Sequence, residues 1–189
     1  MLEIGIDEVG RGSIAGPLVV AAVALAAPVA GLKDSKALSR KRRYLLSREI
    51  RAQAEYLGLG WVSANELDSI GLSKALSLAA SRALEKVAAE DIRFIQLDGN
   101  FNFLSDPYKA KVKLFIHGDA SEPLISAASI IAKVARDEYM IAQAEIHPGY
   151  GFSSNVGYGT KEHFAAIKNL GVCPLHRQSF EPLKSMLLG

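Results

Sequence analysis

Leu2, Ile4 and Ile6 alternate with Glu3, Gly5 and Asp7, the two-residue period of a half-buried strand, and 17–25 (PLVVAAVAL) is an unbroken apolar run of strand length. Only a short join punctuated by Gly10, Gly12 and Gly16 separates them, so the simplest arrangement is an antiparallel pair. Further strands are expected near Tyr56–Val62, over 92–97 (IRFIQL) and over 113–116 (KLFI); the last two run into Asp98-Gly99-Asn100 and Gly118-Asp119. Ser39 caps a helix through the basic stretch that follows it, and Ser63 with Glu66 forms a capping box for a helical region that Gly71 splits. Ile125, Ala128, Ile131, Ala132, Ala135 and Tyr139 fall at helical spacing within 123–146, and another helix is expected over 160–170, stopped by Gly171. Strands first, then strands alternating with helices, predict an α/β fold: a mixed sheet flanked by helices, with a C-terminal helical part over roughly 160–189.

At 189 residues one core suffices, and 1–189 is expected to be a single domain. A hydrophobic fraction of 49% with 22% charged residues excludes disordered and coiled-coil classes. No apolar run reaches the ~18 residues of a transmembrane helix. The Met1-Leu2-Glu3 start lacks the basic head of a secretory signal, which makes the expected location cytoplasmic. The single cysteine, Cys173, offers neither a disulfide nor a zinc pattern and reads as a packed side chain.

The formal charge is +2, but it is unevenly spread. From Lys33 to Arg51 eight basic residues face two acidic ones, a local excess of six that leaves −4 on the rest of the chain. Such a segment is either a solvated helix face or an edge that binds a polyanion.

Four acids occupy comparable places: Asp7 and Glu8 at the end of the first strand, Asp98 and Asp119 at the ends of two later ones. Carboxylates gathered at neighbouring strand ends raise one another's pKa, and divalent cations compensate them. Hard Mg²⁺ or Mn²⁺ prefers such oxygens and keeps positions open for phosphate. Two ions ~3.5–4 Å apart suit hydrolysis of a phosphodiester. Adjacent strand residues point to opposite faces, so Asp7 and Glu8 share a site only where the strand ends or bends, which the following glycines permit. Gly10, Gly12 and Ala15 also satisfy a loose dinucleotide-binding pattern, but Gly16-Pro17 leads into a strand rather than a helix, which removes that reading. Close backbone approach to a sugar-phosphate is the alternative role for these glycines, with Arg11 supplying charge.

The blocks Ile6-Asp7-Glu8-Val9-Gly10-Arg11-Gly12, Lys33-Asp34-Ser35-Lys36, Leu97-Asp98-Gly99-Asn100, Gly118-Asp119, 126–137 (SAASIIAKVARD), Gly157-Tyr158-Gly159-Thr160 and His176-Arg177-x-Ser179-Phe180 occur in an order that resembles bacterial ribonuclease HII over nearly the whole length. The resemblance implies a ribonuclease H-like fold with a five-stranded mixed sheet. It implies a metal-dependent endonuclease, expected to be a monomer, that acts on RNA–DNA hybrids and on duplex DNA containing single ribonucleotides, with two Mn²⁺ or Mg²⁺ ions. Asp7, Glu8, Asp98 and Asp119 match the four catalytic, metal-holding carboxylates. Gly10, Arg11 and Gly12 match the loop that contacts the 2′-hydroxyl, and Tyr158 the tyrosine that stacks on the sugar. Lys36, Ser126 and Ser129 fall where phosphate contacts are expected. Asp137 reads as a structural pairing group, and His163 and His176 as packing or phosphate contacts. The chain departs from the family in having His117 before Gly118-Asp119 and Val156 before Gly157-Tyr158, two weakened positive contacts. A carboxylate nuclease acting on DNA alone, or a hybrid-binding module without chemistry, are the rival readings; the Gly-Arg-Gly loop with Tyr158 argues against the first, the complete set of acids against the second.

Overall fold

The computed structural model describes residues 1–32 and 38–188; Lys36 lies outside them. Five strands, β1 (Leu2–Val9), β2 (Leu18–Leu25), β3 (Ala54–Val62), β4 (Ile92–Asp98) and β5 (Val112–Phe115), form one sheet in the order β3-β2-β1-β4-β5. The pairs β1–β2 and β2–β3 are antiparallel, whereas β1–β4 and β4–β5 are parallel, the mixed sheet that the element order predicts. β2 lies between β1 and β3 and buries almost every side chain, so its sequence reads as a continuous apolar run instead of alternating.

Helices α1 (Arg40–Gln53), α2 (Ala64–Ile70), α3 (Leu72–Leu84), α4 (Gly118–Ser121), α5 (Pro123–Ile146), α6 (Phe152–Asn155), α7 (Lys161–Leu170) and α8 (Leu183–Leu188) flank the sheet. The Ser39 cap, the Ser63/Glu66 capping box and the Thr160 cap start α1, α2 and α7, and Gly71 divides α2 from α3. One core packs Ala75, Ala79 and Ala83 of α3 on Ile4 and Ile6 of β1; the other packs Ala128 and Ile131 of α5 and Ile50 of α1 with Ala21 and Val23 of β2. A Cβ on Gly5 would strike the backbone of Leu124, so α5 crosses β1 at close range and carries its small residues over the strand's end. A third core, with Ile14, Met140, Tyr150, Phe152, Ile167 and Leu183, joins the C-terminal helices to the loop after β1, and Ala15 bridges to His176. That part begins near Tyr150, ahead of the expected 160.

Two local expectations shift. β5 ends at Phe115, and His117 adopts a left-handed conformation (φ 58°) that starts α4. Asp119 therefore sits in the first turn of a short helix instead of at a strand end. Helices as short as α4 and α6 complete no repeat of the 3.6-residue period, so they leave no signature in the hydrophobic pattern.

Candidate active site

β1 pairs with β2 as far as Val9 but with β4 only as far as Ile6, opposite Leu97. The next positions in that register are Asp7 and Asp98, like charges across a ladder, and there the two strands part. Asp7 and Glu8 lie in the last stretch of pairing before β1 ends at Val9, as the expectation of a strand end allows. Both acids reach one cavity because the pairing of β1 with β4 has already stopped. Asp7 shares the α5 face with Gly5 and Val9, whereas Glu8 shares the opposite face with Ile4 and Ile6 and lies at the opened edge. The cavity holds about 510 Å³, and Asp7, Glu8, Asp98 and Asp119 all line it. Gly10, Arg11, Gly12 and Tyr158 form part of its wall, with Ser129 and Lys133 of α5.

Asp7 is 7% exposed, and its Oδ1 accepts the Glu8 N–H at 2.8 Å. Burial, then the Glu8 charge, push its carboxyl up to about 8, although a hydrogen bond from Ser129 works the other way. Burial also raises Glu8; Arg11, whose Nη1 lies 3.6 Å from Glu8 Oε1, opposes that rise and Asp98 adds to it. Asp98 Oδ1 accepts the Gly118 N–H at 2.7 Å, which ties the end of β4 to α4 and brings Asp119 to the cavity. Ser126 does not reach the cavity: it is buried, and its hydroxyl donates to the Asp119 carbonyl.

The glycines of the Gly10-Arg11-Gly12 element have different duties. Gly10 has φ 87°, and a Cβ there would strike the Arg136 side chain and the Pro17 carbonyl, so the fold itself requires a glycine. Gly12 has no atom within 4 Å of an added Cβ, which leaves its open side free for a ligand.

The donor set fits a hard divalent cation: oxygen ligands only, like charges in one cavity, and a buried carboxyl that is costly to ionise alone. Among the described residues no three acidic, His or Cys side chains converge on one ion position. An ion here would be held by one or two of these carboxylates and would leave its other positions to water or phosphate oxygens, a pattern Mg²⁺ tolerates.

Lys133, Arg136 and Arg177 were not singled out by the sequence pattern, yet they organise the cavity's surroundings. Lys133 Nζ lies 5.4 Å from the Tyr158 ring centroid and 2.9 Å from Asp137 Oδ1, so Asp137 pairs within α5 as expected of a structural group. The signal available in sequence was spacing: Ser129, Lys133 and Arg136 stand at i, i+4 and i+7 on one face of α5. His163 and His176 are packed, not surface phosphate contacts. Cys173 N–H donates to His176 Nδ1 at 2.9 Å, the two His Nε2 atoms lie 3.1 Å apart, and His163 Nδ1 lies 2.9 Å from the Tyr158 carbonyl. One neutral tautomer set satisfies this chain, with His176 Nε2–H donating to His163 Nε2 and His163 Nδ1–H donating to Tyr158. Burial lowers both pKa values, that of His176 to about 4.

A carboxylate-lined cavity at the parted edge of a five-stranded mixed sheet, with a long helix crossing its central strand, defines a ribonuclease H-like protein. Ribonuclease HII from an archaeal PCNA complex, that of Archaeoglobus fulgidus, superposes with a TM-score of 0.80 at 27% identity, covering 96% of each chain. Bst-RNase HIII in complex with Mn²⁺ has the same fold (TM-score 0.74, 23% identity, all of this chain and 70% of that one). A ribonuclease HII from Polynucleobacter asymbioticus is 46% identical over 190 residues, 98% of this chain and 95% of its own length. The family model for ribonuclease HII matches residues 4–183. The chain belongs to the ribonuclease HII family, and that membership carries RNase H endonuclease activity.

Proposed function

We propose that this chain hydrolyses the RNA strand of RNA–DNA hybrids and cuts 5′ of single ribonucleotides embedded in duplex DNA, leaving 3′-hydroxyl and 5′-phosphate ends. The observation that carries the reading is the convergence on one cavity of four carboxylates, the Gly10–Gly12 loop and Tyr158. Asp7, Glu8, Asp98 and Asp119 would hold two divalent ions, Mn²⁺ or Mg²⁺; the Mn²⁺ bound by the HIII neighbour accords with that choice. Such ions, when bound, activate the attacking water and stabilise the leaving oxygen of the phosphodiester. Asp7, the most buried of the four acids and hydrogen-bonded to Ser129, is the best-held ligand. The open side of Gly12 admits the sugar edge, where backbone groups can recognise a 2′-hydroxyl, and Tyr158 supplies a ring for the sugar to lie on. Lys133 and Arg11 add positive charge beside the phosphates. Ribonucleotide removal from DNA in the cytoplasm, by a monomer, is the implied role.

The test is a duplex bearing one ribonucleotide, incubated with Mg²⁺, Mn²⁺ or EDTA. Cleavage confined to the ribonucleotide and lost in EDTA is expected; equal cutting of an all-DNA control, or activity that survives EDTA, would overturn the reading. Asp119→Asn should abolish cutting and leave duplex binding largely intact.

A further inference from the structure

Among the described residues the two largest fully buried side chains are arginines, Arg136 and Arg177. Burying a guanidinium is expensive unless its donors are satisfied. All but one of the bonded donors reach backbone carbonyls of residues 10–17, the exception reaching Val156, and Arg177 Nη2 is left buried without a hydrogen-bond partner among the described residues. Arg136 donates from Nε to Pro17 (2.8 Å), from Nη2 to Ala15 (2.9 Å) and from Nη1 to Val156 (2.8 Å). Arg177 donates from Nε to Gly16 (2.9 Å) and from Nη1 to Gly10 (2.6 Å). Gly10 opens the loop that walls the cavity, and Val156 lies two residues before Tyr158.

Val156 has φ 42°, a left-handed conformation unusual for a β-branched residue, and its carbonyl is the one that Arg136 holds. The same seam is closed by the N–H groups of Ile14 and Ala15, which donate to the Gly157 carbonyl at 3.0 and 3.1 Å. Arg136 Cζ also lies 5.5 Å from the Tyr158 ring centroid. Burial, then the charge of Arg136, lowers Arg177 to about 9, so it is still a cation at neutral pH. The two guanidiniums thus bond to both walls of the cavity without lining it.

We propose that Arg136 and Arg177 are positioning residues for ribonucleotide selection: they set the spacing between the Gly10–Gly12 loop and the Tyr158 ring, the two surfaces between which the sugar is read. The inference rests on the role of that loop and ring under the proposed function.

Arg136→Lys and Arg177→Lys keep the charge but lose the planar fork that reaches several carbonyls at once. Each variant is assayed well below its own melting temperature. Cleavage of a single-ribonucleotide duplex is measured with Mg²⁺, and Kd for that duplex and for its all-DNA counterpart is measured with Ca²⁺. The expected result is cleavage slower by about 10²-fold, the scale of a 1 Å misplacement, with the preference for the ribonucleotide duplex lost and the all-DNA Kd unchanged. Rate and preference both matching the wild type would overturn the inference, as would a parallel loss of affinity for both duplexes, which marks a merely structural role. Should neither variant melt cooperatively, amide exchange of the wild type decides: protection at 14–16 and 157 comparable to α5 supports positioning, and exchange as fast as an exposed loop overturns it. A wild-type protein that does not cut at ribonucleotides removes the proposed function itself, whereas a cutting wild type matched by both variants removes only this inference.

Discussion

The cavity and the layer beneath it are both crowded with charge, and they treat it in opposite ways. In the cavity four carboxylates face one another, and burial plus mutual repulsion lift Asp7 to about 8. Beneath it Arg136 and Arg177 are wholly buried, yet they bond to backbone carbonyls, with only Arg177 Nη2 left without a hydrogen-bond partner among the described residues. Charge spent on the backbone is architecture. Charge left facing like charge is stored repulsion, which a bound divalent cation would relieve.

The sharpest way to break this comparison is to remove one of the facing charges. Asp7→Asn should reduce cleavage by at least about 10³-fold, as expected when an essential charge-stabilising group is lost, and should raise the melting temperature in EDTA because the fold no longer holds a carboxyl that burial and Glu8 disfavour ionising. A variant that cuts normally, or melts lower in EDTA, would show that Asp7 is architecture as well.

The buried layer has its own titration. His176 has its folded pKa lowered to about 4 from an ordinary 6.5, so the fold favours the neutral ring. Its contribution is intact above pH 6.5 and is lost as pH falls toward 4, by up to about 3 kcal/mol. Urea unfolding at pH 7 and pH 4.5 measures it: the wild type should lose more stability than His176→Gln over that interval, and equal losses would exclude the histidine chain as the cause.

Gly10 and Gly12 carry the contrast into a single motif. Gly10→Ala forces a Cβ into a left-handed position against Arg136 and should cost about 1–3 kcal/mol of stability. Gly12→Ala should leave the melting temperature unchanged and reduce cleavage of the ribonucleotide duplex, since its Cβ meets only the ligand's space. The reverse pattern would assign the two glycines the wrong way round. The smallest effect belongs to charges that are neither crowded nor buried: Arg93→Ala, which removes the exposed 2.8 Å pair with Glu3, should change stability by less than about 1 kcal/mol in a thermal melt.

Much of this was legible in the chain. The alternation of Leu2, Ile4 and Ile6, the apolar run of β2 and the helical spacing in α5 are local patterns, and local patterns survive without a structure. Asp7, Glu8, Asp98 and Asp119 were legible as candidates because each follows or ends a strand-like run. Their meeting was not: it depends on β4 lying parallel to β1 and on the ladder stopping at Ile6 and Leu97, a pairing between residues about 90 positions apart. Ser126 and Ser129 show the limit plainly. They stand three residues apart on one helix, and only the crossing of α5 over β1 turns Ser129 to the cavity and Ser126 to the Asp119 carbonyl.

The sequence by itself determined the order and type of the long elements, the set of acids and the uneven distribution of charge, because these follow from side-chain chemistry and short-range period. Only the tertiary structure decided which charges are chemistry and which are scaffold. Arg136 looks like one more surface cation in a helix until Pro17, Ala15 and Val156, distant in the chain, present their carbonyls to it. A charge acquires its role from what surrounds it after folding, and burial, the largest influence on it, is a property of the whole fold.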